Sequence, residues 1–164
     1  PLAGPVVVAA CIIEDDVVID GITDSKATTE SSRVASFEQL VAHPGVTYAV
    51  IRIEHDEIDD INILQATLKG MRMAAERALQ MKAEQVGTSD ACTSSGPNVQ
   101  LAKECMALVD GNRVPPNMPM QGDSLVFSIA AASIIAKVTR DRIMIEYDAL
   151  YPEYGLAQHK GYPT

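Results

Sequence analysis

Two aspartates stand where a carboxylate could do chemistry. Asp110 ends the apolar run from Met106 to Val109 and precedes Gly111, and Asp123 follows Gly122 just ahead of a second apolar run. In open α/β sheets ligands bind beyond the carboxyl ends of strands, which is where such a strand would deliver Asp110. Each residue also has an ordinary explanation. Asp before Gly forms turns, and Asp ahead of a helix serves as an N-cap. A Pro-rich connection, Pro115-Pro116-Asn117-Met118-Pro119, separates the two and would let the fold bring both to one edge. Converging carboxylates repel unless a hard divalent cation lies between them. The ion implied is Mg²⁺ or Mn²⁺ rather than zinc, because no His or Cys has ligand spacing.

Other groups are chemically suggestive and equally open to plain readings. Lys137, Arg140 and Asp141 share one predicted helix, and Lys137 with Asp141, four residues on, is expected to be a surface ion pair worth roughly a few tenths of a kcal/mol. Thr23-Asp24-Ser25-Lys26 offers hydroxyls, N–H groups and a cation, which suits either a phosphate cradle or an ordinary turn. His159-Lys160-Gly161-Tyr162 sets a base, a cation and a flat ring side by side, as nucleic-acid stacking sites do and as an exposed C-terminal segment also could. His43 and His55 read as loop and cap residues. Cys11, Cys92 and Cys105 read as buried fillers.

The elements that must position these groups alternate between strand and helix. Val6 to Ile13 is a β-branched run, and Val17-Val18-Ile19 follows the acidic trio Glu14-Asp15-Asp16, which predicts a hairpin. Glu30 to Val41 reads as a helix ended by His43-Pro44-Gly45, and Val46 to Ile53 as a strand. Ile61, Leu64, Leu68, Met71, Ala75 and Ala78 form one helical stripe, introduced by Asp56-Glu57 and Asp59-Asp60 at the positive end of the helix dipole. Gly87 to Asn98 reads as a surface loop and Met106 to Val109 as a short buried strand. A last helix from about Ser128 to Leu150 carries Ile129, Ala132, Ala136, Ile143, Tyr147 and Leu150 at helical period. Its small residues Ala130-Ala131-Ala132-Ser133 predict deep packing of that end against the sheet. The fold class expected is α/β, with a mixed sheet flanked by helices.

Composition bounds the function classes. The 164 residues suit one domain, with 47% apolar and 21% charged residues, close to ordinary globular usage. The longest apolar stretch, Leu125 to Ala136, is too short for the ~20 residues of a membrane span. The apolar start has no basic region before it and does not read as a signal peptide. Three separated cysteines make neither a disulfide framework nor a zinc site. A soluble domain of the cytoplasm or another intracellular compartment is expected, without a membrane partner. Thirteen Lys plus Arg against 22 Asp plus Glu leave a formal charge of −9, which argues against a protein that merely coats nucleic acid. An enzyme acting on nucleic acid remains compatible, because metal-dependent nucleases need clustered carboxylates. Both ends read as cut.

As strings, several blocks resemble type 2 ribonuclease H almost end to end. They are Pro1-Leu2-Ala3-Gly4-Pro5 with its Val-rich strand, Thr23-Asp24-Ser25-Lys26, Ile58-Asp59 with Ile61-Asn62-Ile63-Leu64-Gln65-Ala66-Thr67, and Val109-Asp110-Gly111-Asn112-Arg113-Val114-Pro115. Gly122-Asp123 with the run from Ser128 to Asp141, and Tyr151-Pro152-Glu153-Tyr154-Gly155 through His159-Lys160-Gly161-Tyr162, complete the series in the same order. The resemblance implies a single ribonuclease H-like domain over 1–164, truncated at both ends. It also implies endonucleolytic cleavage of the RNA strand of RNA–DNA hybrids, including lone ribonucleotides embedded in DNA.

That family uses four carboxylates and two divalent metals, one for the attacking water and one for the leaving 3′-oxygen. By resemblance Asp110 matches the third carboxylate and Asp123 the fourth. Tyr162 matches the aromatic that stacks on the sugar at the ribo-to-deoxyribo junction, and Ser25 and Lys26 match phosphate contacts. Asp141, Arg140 and Lys137 are further candidates. The first two carboxylates belong to an Asp-Glu-x-Gly-Arg-Gly block preceding the position of Pro1, and the Asp110 to Asp123 connection is several residues shorter than the family's. An impaired fragment is therefore expected. The alternatives are a non-catalytic hybrid-binding or scaffold domain of the same fold, and an unrelated metal-dependent α/β phosphoesterase.

Overall fold

The computed structural model describes residues 3–19, 21–22, 28–85, 115 and 126–162. Strand β1 (Val6–Ile13) pairs antiparallel with β2 (Val46–Ile53), in register from Val6 opposite Ile53 to Ile13 opposite Val46. Between them runs α1 (Glu30–Ala42), started by Thr29, whose hydroxyl accepts from the Ser32 N–H at 3.2 Å. It ends at His43, whose Nδ1 accepts from the Gly45 N–H at 3.1 Å. Then come α2 (His55–Gln85), α3 (Val126–Leu150), a 3₁₀ turn (Pro152–Tyr154) and the short α4 (Leu156–His159).

Side-chain alternation along the strands separates two apolar faces. Ala9, Cys11 and Ile13 of β1, with their partners Val50, Tyr48 and Val46, pack against Leu40 of α1 and Ala131, Ile134, Ile135 and Val138 of α3. On the other face Val8 meets Gly70 of α2, and Thr47 donates to Gln85 at the end of α2 at 2.8 Å. Helices thus cover both faces, which is why the strands are mostly apolar on both sides, with Arg52 near the end of β2 the one charged residue in them. Each fully buried Leu or Ile in this core contributes roughly 1.5–3 kcal/mol. The described residues form a mixed α/β arrangement around a two-stranded antiparallel sheet.

Several expectations are corrected. Val17-Val18-Ile19 is not a strand and makes no hairpin with β1. The Glu14 N–H donates to the Gly45 carbonyl and the Val17 N–H to the Glu14 carbonyl, which turns the chain away, while β1 pairs along all its length with β2. Ile19 turns into the core beneath Leu40 instead. In α2 the buried residues are Ala66, Gly70, Ala74, Ala78 and Ala83; of the expected stripe only Ala78 is among them, and Ile61, Leu64, Leu68, Met71 and Ala75 flank the line half-buried. Small residues win that face because the helix backbone lies close to the sheet: a Cβ on Gly70 would come within 2.9 Å of Val8 Cγ2. The helix is also broken at Asn62 (φ 68°, ψ 162°), whose Oδ1 caps the restarted helix by accepting from the Leu64 and Gln65 N–H groups, each at 3.1 Å.

In α3 the buried apolar residues are Ala130, Ala131, Ile134, Ile135, Val138, Ile143 and Met144; of the expected stripe only Ile143 is among them, Ile129, Ala132, Ala136 and Tyr147 are half-buried, and Leu150 is exposed. The helix is covered from two directions, by the sheet and by the C-terminal segment, so its buried surface is not centred on the apolar stripe. The expected depth of Ala130 and Ala131 is observed. The predicted loop Gly87 to Asn98 and strand Met106 to Val109 lie outside the described residues. No helix among the described residues is long and apolar enough to cross a membrane.

Candidate functional site

Asp110, Asp123, Ser25 and Lys26 lie outside the described residues. The structure brings together the other four candidates, Lys137, Arg140, Asp141 and Tyr162. Three come from α3, where spacings of three and four place them on one helix flank. Tyr162 comes from the turn after α4.

Arg140 is the centre of the group, and it is buried, only 7% exposed. Its Nη1 donates to the Lys160 carbonyl at 2.6 Å and its Nη2 to the Ala3 carbonyl at 2.8 Å. Burial lowers the guanidinium pKa, and the neighbouring Tyr162 and Asp141 work against that shift. An arginine stays cationic throughout. Its Cζ lies 5.6 Å from the centroid of the Tyr162 ring, and the Lys137 ammonium lies 5.3 Å from the same centroid. Lys137 also bonds Asp141 at 2.7 Å, the expected i,i+4 pair. It is not the fully solvated surface pair that spacing suggested, because Asp141 is buried and Lys137 leans over the ring.

The turn carrying Tyr162 is shaped by His159. The Gly161 N–H donates to His159 Nδ1 at 3.0 Å, so the ring proton sits on Nε2, which donates to the Tyr154 carbonyl at 2.8 Å. The Tyr162 N–H closes onto the His159 carbonyl at 2.9 Å, and Asp148 of α3 accepts from the Ala157 N–H at 3.0 Å. Lys160 and Gly161 both have positive φ, 50° and 77°. A Cβ on Gly161 would lie 2.7 Å from the Ala3 carbonyl oxygen, so a glycine is needed where the chain ends approach. Nothing in the spacing of α3 marked Arg140 as buried. The one available signal was the glycine pairing with Ala3-Gly4, visible only once both ends are in place.

A tyrosine that is 46% exposed and has two cations near its ring can stack on a sugar or base and favour a nearby phosphate. A model of the ribonuclease HII family matches residues 1–164. The ribonuclease HII of Francisella tularensis subsp. novicida (strain U112) is 41% identical over 169 residues, spanning 100% of this chain and 79% of that protein. That of Francisella tularensis subsp. holarctica (strain LVS) is likewise 41% identical, spanning 100% of this chain and 78% of its own length. The chain belongs to the ribonuclease HII family. Ribonuclease HII is an endoribonuclease, a hydrolase dependent on divalent metal, which agrees with the carboxylate chemistry read from the sequence. Among the described residues, however, no group of three or more His, Cys, Asp or Glu side chains could hold an ion. Asp141 and Asp148 do not fit that task, since one is tied to Lys137 and the other caps Ala157.

Proposed function

We propose that this chain is a single ribonuclease H-like domain that cuts the RNA strand of RNA–DNA hybrids and recognises lone ribonucleotides embedded in DNA. Asp110 and Asp123 would hold Mg²⁺ or Mn²⁺, and Ser25 and Lys26 would contact phosphate. When bound, the ions supply Lewis acidity to the water and the leaving oxygen. The described residues do the recognition. Tyr162 offers its open face to the sugar at the ribo-to-deoxyribo junction, and Lys137, restrained by Asp141, leaves its positive charge beside that face for the adjacent phosphate. The observation that carries this reading is the half-exposed Tyr162 ring with Lys137 and Arg140 against it.

The test compares the natural protein with Tyr162→Ala and Asp110→Asn on a DNA duplex bearing one ribonucleotide, with Mg²⁺ or Mn²⁺. Loss of most cutting in Asp110→Asn, and an at least tenfold fall in kcat/KM in Tyr162→Ala, are expected. Undiminished cutting by either variant would overturn the role assigned to it. Salt-dependent duplex binding without any cutting by the natural protein would favour the scaffold alternative.

A further inference from the structure

The hydrogen bonds inside the Tyr162 turn are local. Tyr162 bonds His159, Gly161 bonds the His159 ring, and that ring bonds Tyr154. Such bonds shape a turn without setting where it sits on the molecule. Asp148 holds the start of α4 through the Ala157 N–H, five residues ahead of the ring, and Arg140 makes the bonds at the turn itself. Its fork joins two carbonyls far apart in sequence, 20 residues one way and 137 the other, and the ring of Tyr162 lies against the same guanidinium. The Ala3 carbonyl belongs to the segment entering β1, where Gly4 (φ 82°) passes so near Met144 that a Cβ would lie 2.5 Å from its sulfur. Met144 is fully buried on α3 one turn beyond Arg140. Burying a cation is costly, and here Nε is left without an acceptor among the described residues. A bidentate planar fork is what a lysine in this place could not reproduce.

We propose that Arg140 is a positioning residue for Tyr162: it ties the Tyr162 turn to the chain entering β1 and so sets where the stacking ring stands relative to that segment. The proposal rests on the reading of Tyr162 as the stacking platform. The experiment uses the natural protein and four forms of it, Arg140→Lys, Arg140→Met, Tyr162→Ala and the double variant Arg140→Met with Tyr162→Ala. Two quantities are read. One is amide hydrogen exchange at residues 160–162, with the amides of residues 134–138 as internal reference. The other is KM and kcat on a duplex bearing a single ribonucleotide.

Arg140→Met is expected to speed exchange at 160–162 at least tenfold and to raise KM at least fivefold, with kcat within threefold. Arg140→Lys keeps the charge but not the fork, and is expected to raise KM at least threefold. It also serves if the methionine variant does not fold. In the Tyr162→Ala background, Arg140→Met is expected to add less than a twofold further rise in KM, since the ring through which it acts is gone. An Arg140→Lys variant with KM less than threefold above the parent, or a double variant with a larger additional rise, overturns the proposal. If Tyr162→Ala alone leaves kcat/KM unchanged, the platform reading itself has failed, and that outcome is read independently of Arg140.

Discussion

Gly161→Ala measures how firmly the Tyr162 turn is held. Gly161 has φ 77°, a region that costs a residue with a Cβ roughly 1–2 kcal/mol. The added carbon would also lie 2.7 Å from the Ala3 carbonyl oxygen and 3.1 Å from Arg140 Nη2. Relieving that approach means moving the carbonyl off the guanidinium, and a hydrogen bond to a charged group is worth roughly 1.5–3 kcal/mol. Counting the strain and a good part of that bond gives about 3 kcal/mol. The turn can lift from α3 without opening the sheet, so this cost is expected as local opening rather than global unfolding. At tenfold per ~1.4 kcal/mol, amide exchange at residues 160–162 should accelerate about 150-fold. Hydrogen exchange followed by NMR or mass spectrometry reads this directly, and the amides of Ile134, Ile135 and Val138 should keep their protection. Acceleration below about threefold at 160–162 would refute the claim that the chain ends are locked together here.

Two further outcomes follow from other parts of the fold. Asn62→Ala removes the side chain that caps Leu64 and Gln65 and leaves a Cβ at φ 68°, so a loss of roughly 2 kcal/mol is expected, a shift of about 1 M in the urea midpoint, whereas Asn62→Gly should stay within about 0.5 kcal/mol of the parent; an Ala variant as stable as the parent would contradict the cap, and equal stability of the Ala and Gly variants would contradict the left-handed backbone there. Burial pushes the Cys11 thiol up from its usual 9.0 to about 12. The native chain therefore holds a proton that the unfolded chain gives up above about pH 9, so this group's contribution to stability is intact below that pH and declines as pH climbs toward 12. At pH 8, iodoacetamide should label Cys11 in denatured protein and scarcely at all in native protein, as peptide mapping by mass spectrometry would show; equal labelling in the two states would contradict the burial.

Much was legible from residue order alone, and for local reasons. β1 and β2 follow from their strand-forming composition, rich in β-branched residues, α1 from its stop at His43-Pro44-Gly45, and α3 to within two residues from its apolar period. Family membership was carried by short blocks in a conserved order, which need no coordinates, and the roles expected of Asp110, Asp123, Ser25 and Lys26 come from those same blocks. Tertiary structure decided what depends on two distant segments competing for one surface. Val17 to Ile19 form no strand: β1 pairs instead with β2, which begins at Val46, and Ile19 is drawn into the core with Leu40. The small face of α2 displaced the large one because closeness to the sheet, not hydrophobicity, selected Ala66, Gly70 and Ala74. Arg140, which the sequence placed only on one helix with Lys137 and Asp141, became a buried fork because Ala3 and Lys160 bring their carbonyls to it from segments far apart in the chain. Periodicity records which side of an element is greasy; it does not record which neighbour arrives there, and that arrival sets where the Tyr162 ring stands.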